Sequence, residues 1–131
     1  IAITNVRTLD PVLLGDWLEP GMHVNAAGAN SIDRRELDDN AITKSSIIAV
    51  DAIDQAKLEC ADLTIPTQSG LITWDGIHEL STIVGGQIPG RTSPDQITLF
   101  ESQGIGIEDI AVAAHIYKKA ISEGSGIDLP F

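Results

Sequence analysis

Short β-branched runs alternate along the chain with stretches whose apolar residues recur at helical spacing. Ile1–Asn5 is an apolar run broken by Thr8-Leu9-Asp10-Pro11, which predicts a strand and its end. Pro20-Gly21 marks a turn, and Met22–Ala27, closing at Gly28, predicts a second strand. Asp33 with Glu36 three residues on resembles a capping box and predicts a helix over Arg34–Lys44. Ile47–Val50 is too short an apolar run for a helix and suits a strand covered on both faces. Ala52–Cys60 reads as a helix with Ile53, Ala56 and Cys60 on one stripe, whereas the Pro, Ser and Gly of Thr64–Gly70 predict a loop. Ile77, Leu80, Ile83 and Val84 place a helix over Ile77–Val84, stopped by Gly85-Gly86. Ile97–Phe100 predicts a fourth strand. Ile107–Ile121 predicts a long helix with Ile107, Ile110, Ala114, Tyr117 and Ile121 facing inward, before a Gly-rich tail, Gly124–Phe131, that ends in three apolar residues.

Strand–helix alternation of this kind implies an α/β fold with a parallel sheet and helices on its faces. Such a sheet binds ligands in the loops just past the carboxyl ends of its strands. Here those loops are Asn5-Val6-Arg7, Gly28-Ala29-Asn30-Ser31, the stretch after Asp51, and Ser102-Gln103-Gly104. Small residues beside hydrogen-bonding side chains let a flat ligand approach the backbone, although Gly and Asn also follow strands merely to turn the chain.

Composition narrows the chemistry. A length of 131 residues suits one domain, and 43% apolar with 21% charged residues is a globular balance. Eight Lys plus Arg against nineteen Asp plus Glu give −11, a field that repels nucleic acid and anionic membrane. No apolar run approaches the roughly 18 residues of a membrane span. Cys60, the one cysteine, excludes an internal disulfide, suits a reducing cytoplasm, and reads as a small core residue. His23, His78 and His115 are scattered without ligand spacing, so no metal is expected, and His115 reads as a packing residue. Trp17 and Trp74 read as packing anchors. Asp38-Asp39 and Glu108-Asp109 stand where carboxylates favour helix N-termini. Arg34-Arg35 suits either an anion or a solvated helix start. The phosphate-cradling Gly-x-Gly-x-x-Gly is absent; Gly104-Ile105-Gly106, between a strand and a helix, is a turn whose N–H groups suit a ligand.

The ordered blocks Trp17-Leu18-Glu19-Pro20-Gly21-Met22-His23-Val24-Asn25-Ala26-Ala27-Gly28-Ala29-Asn30, Arg35-Glu36-Leu37-Asp38-Asp39 and Val50-Asp51 resemble the ornithine cyclodeaminase/mu-crystallin family. Gly90-Arg91, Ile97-Thr98-Leu99-Phe100-Glu101-Ser102-Gln103-Gly104 and Ile107-Glu108-Asp109-Ile110-Ala111 continue the resemblance in the family's order. Members of that family are longer, with an N-terminal substrate-binding and dimerising domain before the nucleotide-binding one. The resemblance therefore implies the second half of a Rossmann-like doubly wound parallel sheet. Residues 1–105 would be the C-terminal half of an NAD(P)-binding domain, and 106–131 a helix and tail returning to a domain upstream. The Gly-rich pyrophosphate turn would then lie before Ile1, and Leu129-Pro130-Phe131 would be a typical finish.

Carried over by position, the resemblance places Thr4, Asn5 and Val6 beside the ribose of NAD or NADP and Ser102, Gln103 and Gly104 along its nicotinamide ring. Asn30 falls where the cyclodeaminases have an aspartate as catalytic acid/base. A carboxamide can hydrogen-bond but cannot exchange a proton near neutral pH. Asn30 therefore favours members that reduce a preformed cyclic imino acid, the pyrroline-2-carboxylate or ketimine reductases, with Asn30 orienting substrate or water. The alternatives are an ornithine cyclodeaminase, forming proline and ammonia with the proton handled by Asp33 or Glu36, and a non-catalytic binding module. The resemblance also implies a small amino or imino acid substrate and a cytoplasmic homodimer formed through the N-terminal domain.

Overall fold

The computed structural model describes residues 1–130; Phe131, at the predicted apolar end of the tail, lies outside the described residues. Five strands, β1 (Ala2–Thr4), β2 (His23–Ala26), β3 (Ile47–Val50), β4 (Ile77–Glu79) and β5 (Thr98–Glu101), form one sheet in the order β1-β2-β5-β3-β4. All neighbours are parallel. A parallel pair cannot be closed by a hairpin, so each strand is followed by a crossover. The β1–β2 crossover is irregular apart from one 3-10 turn, Gly15–Trp17. α1 (Asp39–Lys44) joins β2 to β3, α2 (Ile53–Glu59) and α3 (Ala61–Gln68) join β3 to β4, and α4 (Leu80–Val84) leads to β5. The last strand inserts at the centre, with Leu99 level with Val24 on one side and Ile48 on the other. α5 (Gly106–Glu123) leaves from its end.

Side chains alternate between the faces of a strand. Val24, Ala26, Ile48, Val50, Ile77 and Leu99 share one face and pack on Leu37, Ile42, Ala56, Cys60 and Leu63. The opposite face is covered thinly. Ile3 is 72% exposed there, while α4 closes over His23, Ile47, Ala49 and Phe100 around a cavity of about 160 Å³.

Four expectations from the pattern need correction. The helix expected from Arg34 starts at Asp39, because Asp38 caps it by accepting from Ala41 N and also holds Gly15 N, both at 2.8 Å. Glu36 is drawn into the interior instead. The loop expected over Thr64–Gly70 is largely α3, whose Leu63 and Pro66 are buried; packing overrides the breaker composition. Only Leu80–Val84 of the predicted 77–84 helix is helical. Ile77–Glu79 pairs with β3, where an edge of the sheet would otherwise remain unpaired. Finally, α5 has the predicted apolar stripe but no buried residue: Ile107, Ile110, Tyr117 and Ile121 are exposed, as are Ala114 and His115. Periodicity reports that a helix has an apolar face, not what covers it. Trp17, 61% exposed, is no packing anchor either, whereas Trp74 is packed against the core. No helix among the described residues is long and apolar enough to cross a membrane.

Candidate functional site

Parallel pairing sends the carboxyl ends of all five strands to one edge, and the loops expected to bind ligand emerge there together. Their shapes are set from below by Glu36, a fully buried carboxylate. Its Oε2 accepts from Thr4 Oγ1 at 3.0 Å and from Gly28 N at 2.8 Å, and its Oε1 accepts from Val6 N. Three donors from the ends of β1 and β2 thus converge on one side chain. A Cβ at position 28 would collide with the Val6 backbone and the Glu36 carboxylate, so only glycine fits this approach. The Glu36 main chain is held as firmly. Its carbonyl accepts from Val12 N and Leu13 N at 2.9 Å, and its N–H donates to the buried Asp62 carboxylate at 3.0 Å.

Asp62 opens α3 and also accepts from Leu37 N at 3.1 Å; the Arg35 guanidinium reaches Asp62 at 3.4 Å and Asp39 at 2.7 Å. Arg34-Arg35 was one candidate for an anion; Arg35 instead serves these carboxylates. Burial pushes the Asp62 carboxyl up to about 6 against the opposing pull of the Glu36 and Leu37 amides and Arg35. Glu101, the last residue of β5, is buried with only the Cys60 thiol as partner, Sγ to Oε2 at 3.6 Å; its Oε1 has none among the described residues. Desolvation, with the nearby Asp62 and Glu36 charges adding to it, holds the Glu101 carboxyl well above its ordinary range. Burial raises the Cys60 thiol in the same way, which makes it an unreactive core residue.

At the end of β3, the Asp51 carboxylate accepts from Ser102 Oγ at 2.9 Å and Gly104 N at 2.7 Å. The expectation that the Gly104–Gly106 turn offers its amides to a ligand therefore changes, since Gly104 N is already engaged. Gly104 itself lies at φ +77, with open space where a Cβ would point. The Ser102 turn and the Asn30 loop leave adjacent strands, tied by Ser102 N to Ala26 O at 2.8 Å.

The candidate residues fall into two sets. Thr4 is buried with its hydroxyl on Glu36, Val6 N is spent on the same carboxylate, and Ser102 Oγ is spent on Asp51. Asn5 and Asn30 are exposed at the carboxyl edge, and the Asn30 side chain forms no hydrogen bond among the described residues. Gln103 keeps both carboxamide atoms buried and unpartnered. Asp62, Asp51 and Glu101 received no role from the sequence, and Glu36 was read only as a capping partner or a proton carrier, not as a buried hub. Glu36, Asp51 and Glu101 did stand inside ordered motif blocks, but the capping-box spacing pointed Glu36 at a helix end. Among the described residues no cluster of His, Cys, Asp and Glu is arranged to hold a metal.

A doubly wound parallel sheet with polar loops grouped at its carboxyl edge is the architecture of a nucleotide-binding α/β protein. The chain belongs to the ornithine cyclodeaminase/mu-crystallin family, whose sequence profile matches residues 1–124. It is 35% identical to a Delta(1)-pyrroline-2-carboxylate reductase of Bacillus cereus and 33% identical to an alanine dehydrogenase of Archaeoglobus fulgidus, each over its whole length. It spans 40% of each of those relatives. The Delta(1)-pyrroline-2-carboxylate reductase of Thermococcus litoralis, solved with NADH and L-proline, superposes with a TM-score of 0.86 at 37% identity. The match covers 97% of this chain and 39% of that one.

Two outcomes follow from the buried carboxylates. Glu36→Gln sets an amide NH₂ against N–H or O–H donors whichever way it turns, and is expected to cost about 3 kcal/mol, read as a fall in the urea midpoint; an unchanged midpoint contradicts the hub. For Glu101, a folded-state pKa above the unfolded value contributes stability at low pH that is lost as pH rises through the folded value. Glu101→Gln, uncharged at every pH, should therefore gain on the wild type from about pH 5 to 7, by at most about 1.4 kcal/mol per pH unit. Urea midpoints that run parallel across that range contradict it.

Proposed function

We propose that the intact protein is an NAD(P)-dependent reductase of a cyclic imino acid, of the pyrroline-2-carboxylate or ketimine type. The observation that carries this reading is Asn30: a carboxamide, exposed and unengaged in the loop after β2, the strand adjacent to the one that leads into the Ser102–Gly104 turn. The relatives named above, which include reductases, support it.

The carboxyl edge of the sheet is where the nicotinamide nucleotide would lie. Asn5 and Val6 are exposed at the end of β1; two strand spacings away, about 10 Å, lies the turn after β5. Open space over Gly104 and Gly106 admits a flat ring against backbone, and the unpartnered Gln103 carboxamide supplies a donor and an acceptor. When bound, the cofactor supplies the hydride. Thr4 and Val6 act through the backbone shape that Glu36 enforces, Asn5 faces the ribose, and Ser102, Gln103 and Gly104 form the wall beside the ring. Asn30 orients the imino acid or a water by hydrogen bonds and itself moves no proton.

The ornithine cyclodeaminase alternative required another proton carrier. Glu36 cannot serve, being buried with both oxygens committed. Asp33 is exposed, and its hydrogen bond from Ser31 holds its carboxyl below the usual range, which makes it a poor base. In the proposed arrangement residues 1–105 form the C-terminal half of the nucleotide-binding domain. The apolar stripe of α5, within 106–131, packs on a further domain through which a cytoplasmic homodimer forms; the exposed Ile107, Ile110 and Ile121 support this.

In the intact protein, Δ1-pyrroline-2-carboxylate should be reduced with oxidation of NADH or NADPH, and ornithine should yield no ammonia. Asn30→Ala should lower kcat/KM about 10- to 100-fold through lost orientation. Conversion of ornithine to proline and ammonia without imine reduction overturns the assignment.

A further inference from the structure

Asp51 ties together two segments that meet only in the folded chain. We propose that Asp51 is a positioning residue for the redox end of the crevice, fixing the Ser102-Gln103-Gly104 turn against the end of β3 and so setting where the wall beside the ring stands. The inference rests on the nucleotide reading given above.

One oxygen does this work. Asp51 Oδ2 accepts from both Ser102 Oγ and Gly104 N, across 51 and 53 residues of sequence. The turn has little else to hold it. Gly104 takes the left-handed conformation and has nothing within 4 Å of where a Cβ would stand. Beyond Asp51, the hydrogen bonds restraining it among the described residues are Ser102 N to Ala26 O on its β5 side and Gln55 Nε2 to Gly104 O at 3.2 Å. Without Asp51, the segment between β5 and α5 would be anchored only at its first residue and by one exposed glutamine contact.

The carboxylate is ill suited to stability alone. Asp51 is 8% exposed, and its Oδ1 is buried with no partner among the described residues. A buried acceptor left unmatched is unfavourable, so a shape-matched apolar residue would serve packing better. What an apolar residue cannot provide is an acceptor oxygen that holds a hydroxyl and an amide on one turn at once. The same turn carries the unpartnered Gln103 carboxamide. Unmatched buried polar atoms concentrated at one turn are what a bound ligand or ordered water completes.

The test uses Asp51→Ala and Asp51→Asn in the intact protein, with NADH and NADPH as probes. Asp51→Asn can present its carbonyl oxygen to both donors; Asp51→Ala cannot. Asp51→Ala should speed hydrogen exchange at the Gly104 amide and weaken dinucleotide binding about 10-fold at unchanged stoichiometry, while Asp51→Asn stays within about 3-fold of wild type. A merely structural role lowers the stoichiometry and leaves Kd unmoved, which overturns the proposal. So does an unchanged Gly104 exchange rate, or a folded Asp51→Asn as impaired as Asp51→Ala. Should Asp51→Ala not fold, Ser102→Ala, which deletes one of the two bonds, must still weaken binding, and normal affinity there overturns the proposal. A wild type that binds neither dinucleotide refutes the nucleotide reading instead, while the Gly104 exchange rates still decide whether Asp51 holds the turn.

Discussion

A negative charge placed inside the protein and surrounded by hydrogen-bond donors governs the ligand edge of this sheet. Removing a carboxylate from water costs several kcal/mol unless donors replace the lost hydration. Glu36 meets that requirement with one hydroxyl and two backbone amides drawn from the ends of β1 and β2. The condition works in both directions. The loops satisfy the charge, and the charge fixes the loops at Thr4, Val6 and Gly28. The glycine at 28 follows from how closely the Val6 backbone and the carboxylate approach it.

The same economy extends across the edge. Asp62 secures the main chain of Glu36, and Asp51 holds the turn after β5. Acidic residues in a chain of net charge −11 are thus partly an internal scaffold for loops, not only a solvated surface. Glu101 differs from the others. It has one thiol for a partner and sits near two carboxylates, so burial disfavours its charged form. Asn5 and Asn30, by contrast, stand exposed at the ends of the loops that the buried charges shape.

Much of this was legible in the sequence, and the failures have physical causes. β3 was read without error because four consecutive apolar residues admit little else, and β1, β2 and β5 were placed to within a residue or two. β4 was missed because Ile77 and Leu80 satisfy helical spacing while the strand is imposed by pairing with β3, a contact no local pattern contains. The Gly90-Arg91 block carried the family resemblance without a stated role. Its guanidinium donates to Gly21 O at 2.7 Å, Met22 O at 3.0 Å and Thr98 Oγ1 at 3.1 Å, pinning the amino ends of β2 and β5. At the site, loop positions were readable because strand ends predict them. The carboxylates beneath were not, since Asp33 and Glu36 at capping-box spacing look the same whether Glu36 caps a helix or is buried. The inward face assigned to α5 failed for a related reason: its stripe is real, but no element among the described residues covers it.

The central claim is that the carboxyl edge, shaped by these buried charges, receives the dinucleotide. Titrating the isotopically labelled intact protein with NADH and NADPH while following backbone amide resonances tests it most directly. The account predicts shifts at Asn5, Val6, Asn30, Ser102 and Gly104, with Ser46 and Thr73 at the opposite edge unmoved. Shifts centred on Ser46 and Thr73, or a saturable response that bypasses the loops after β1, β2 and β5, would contradict it.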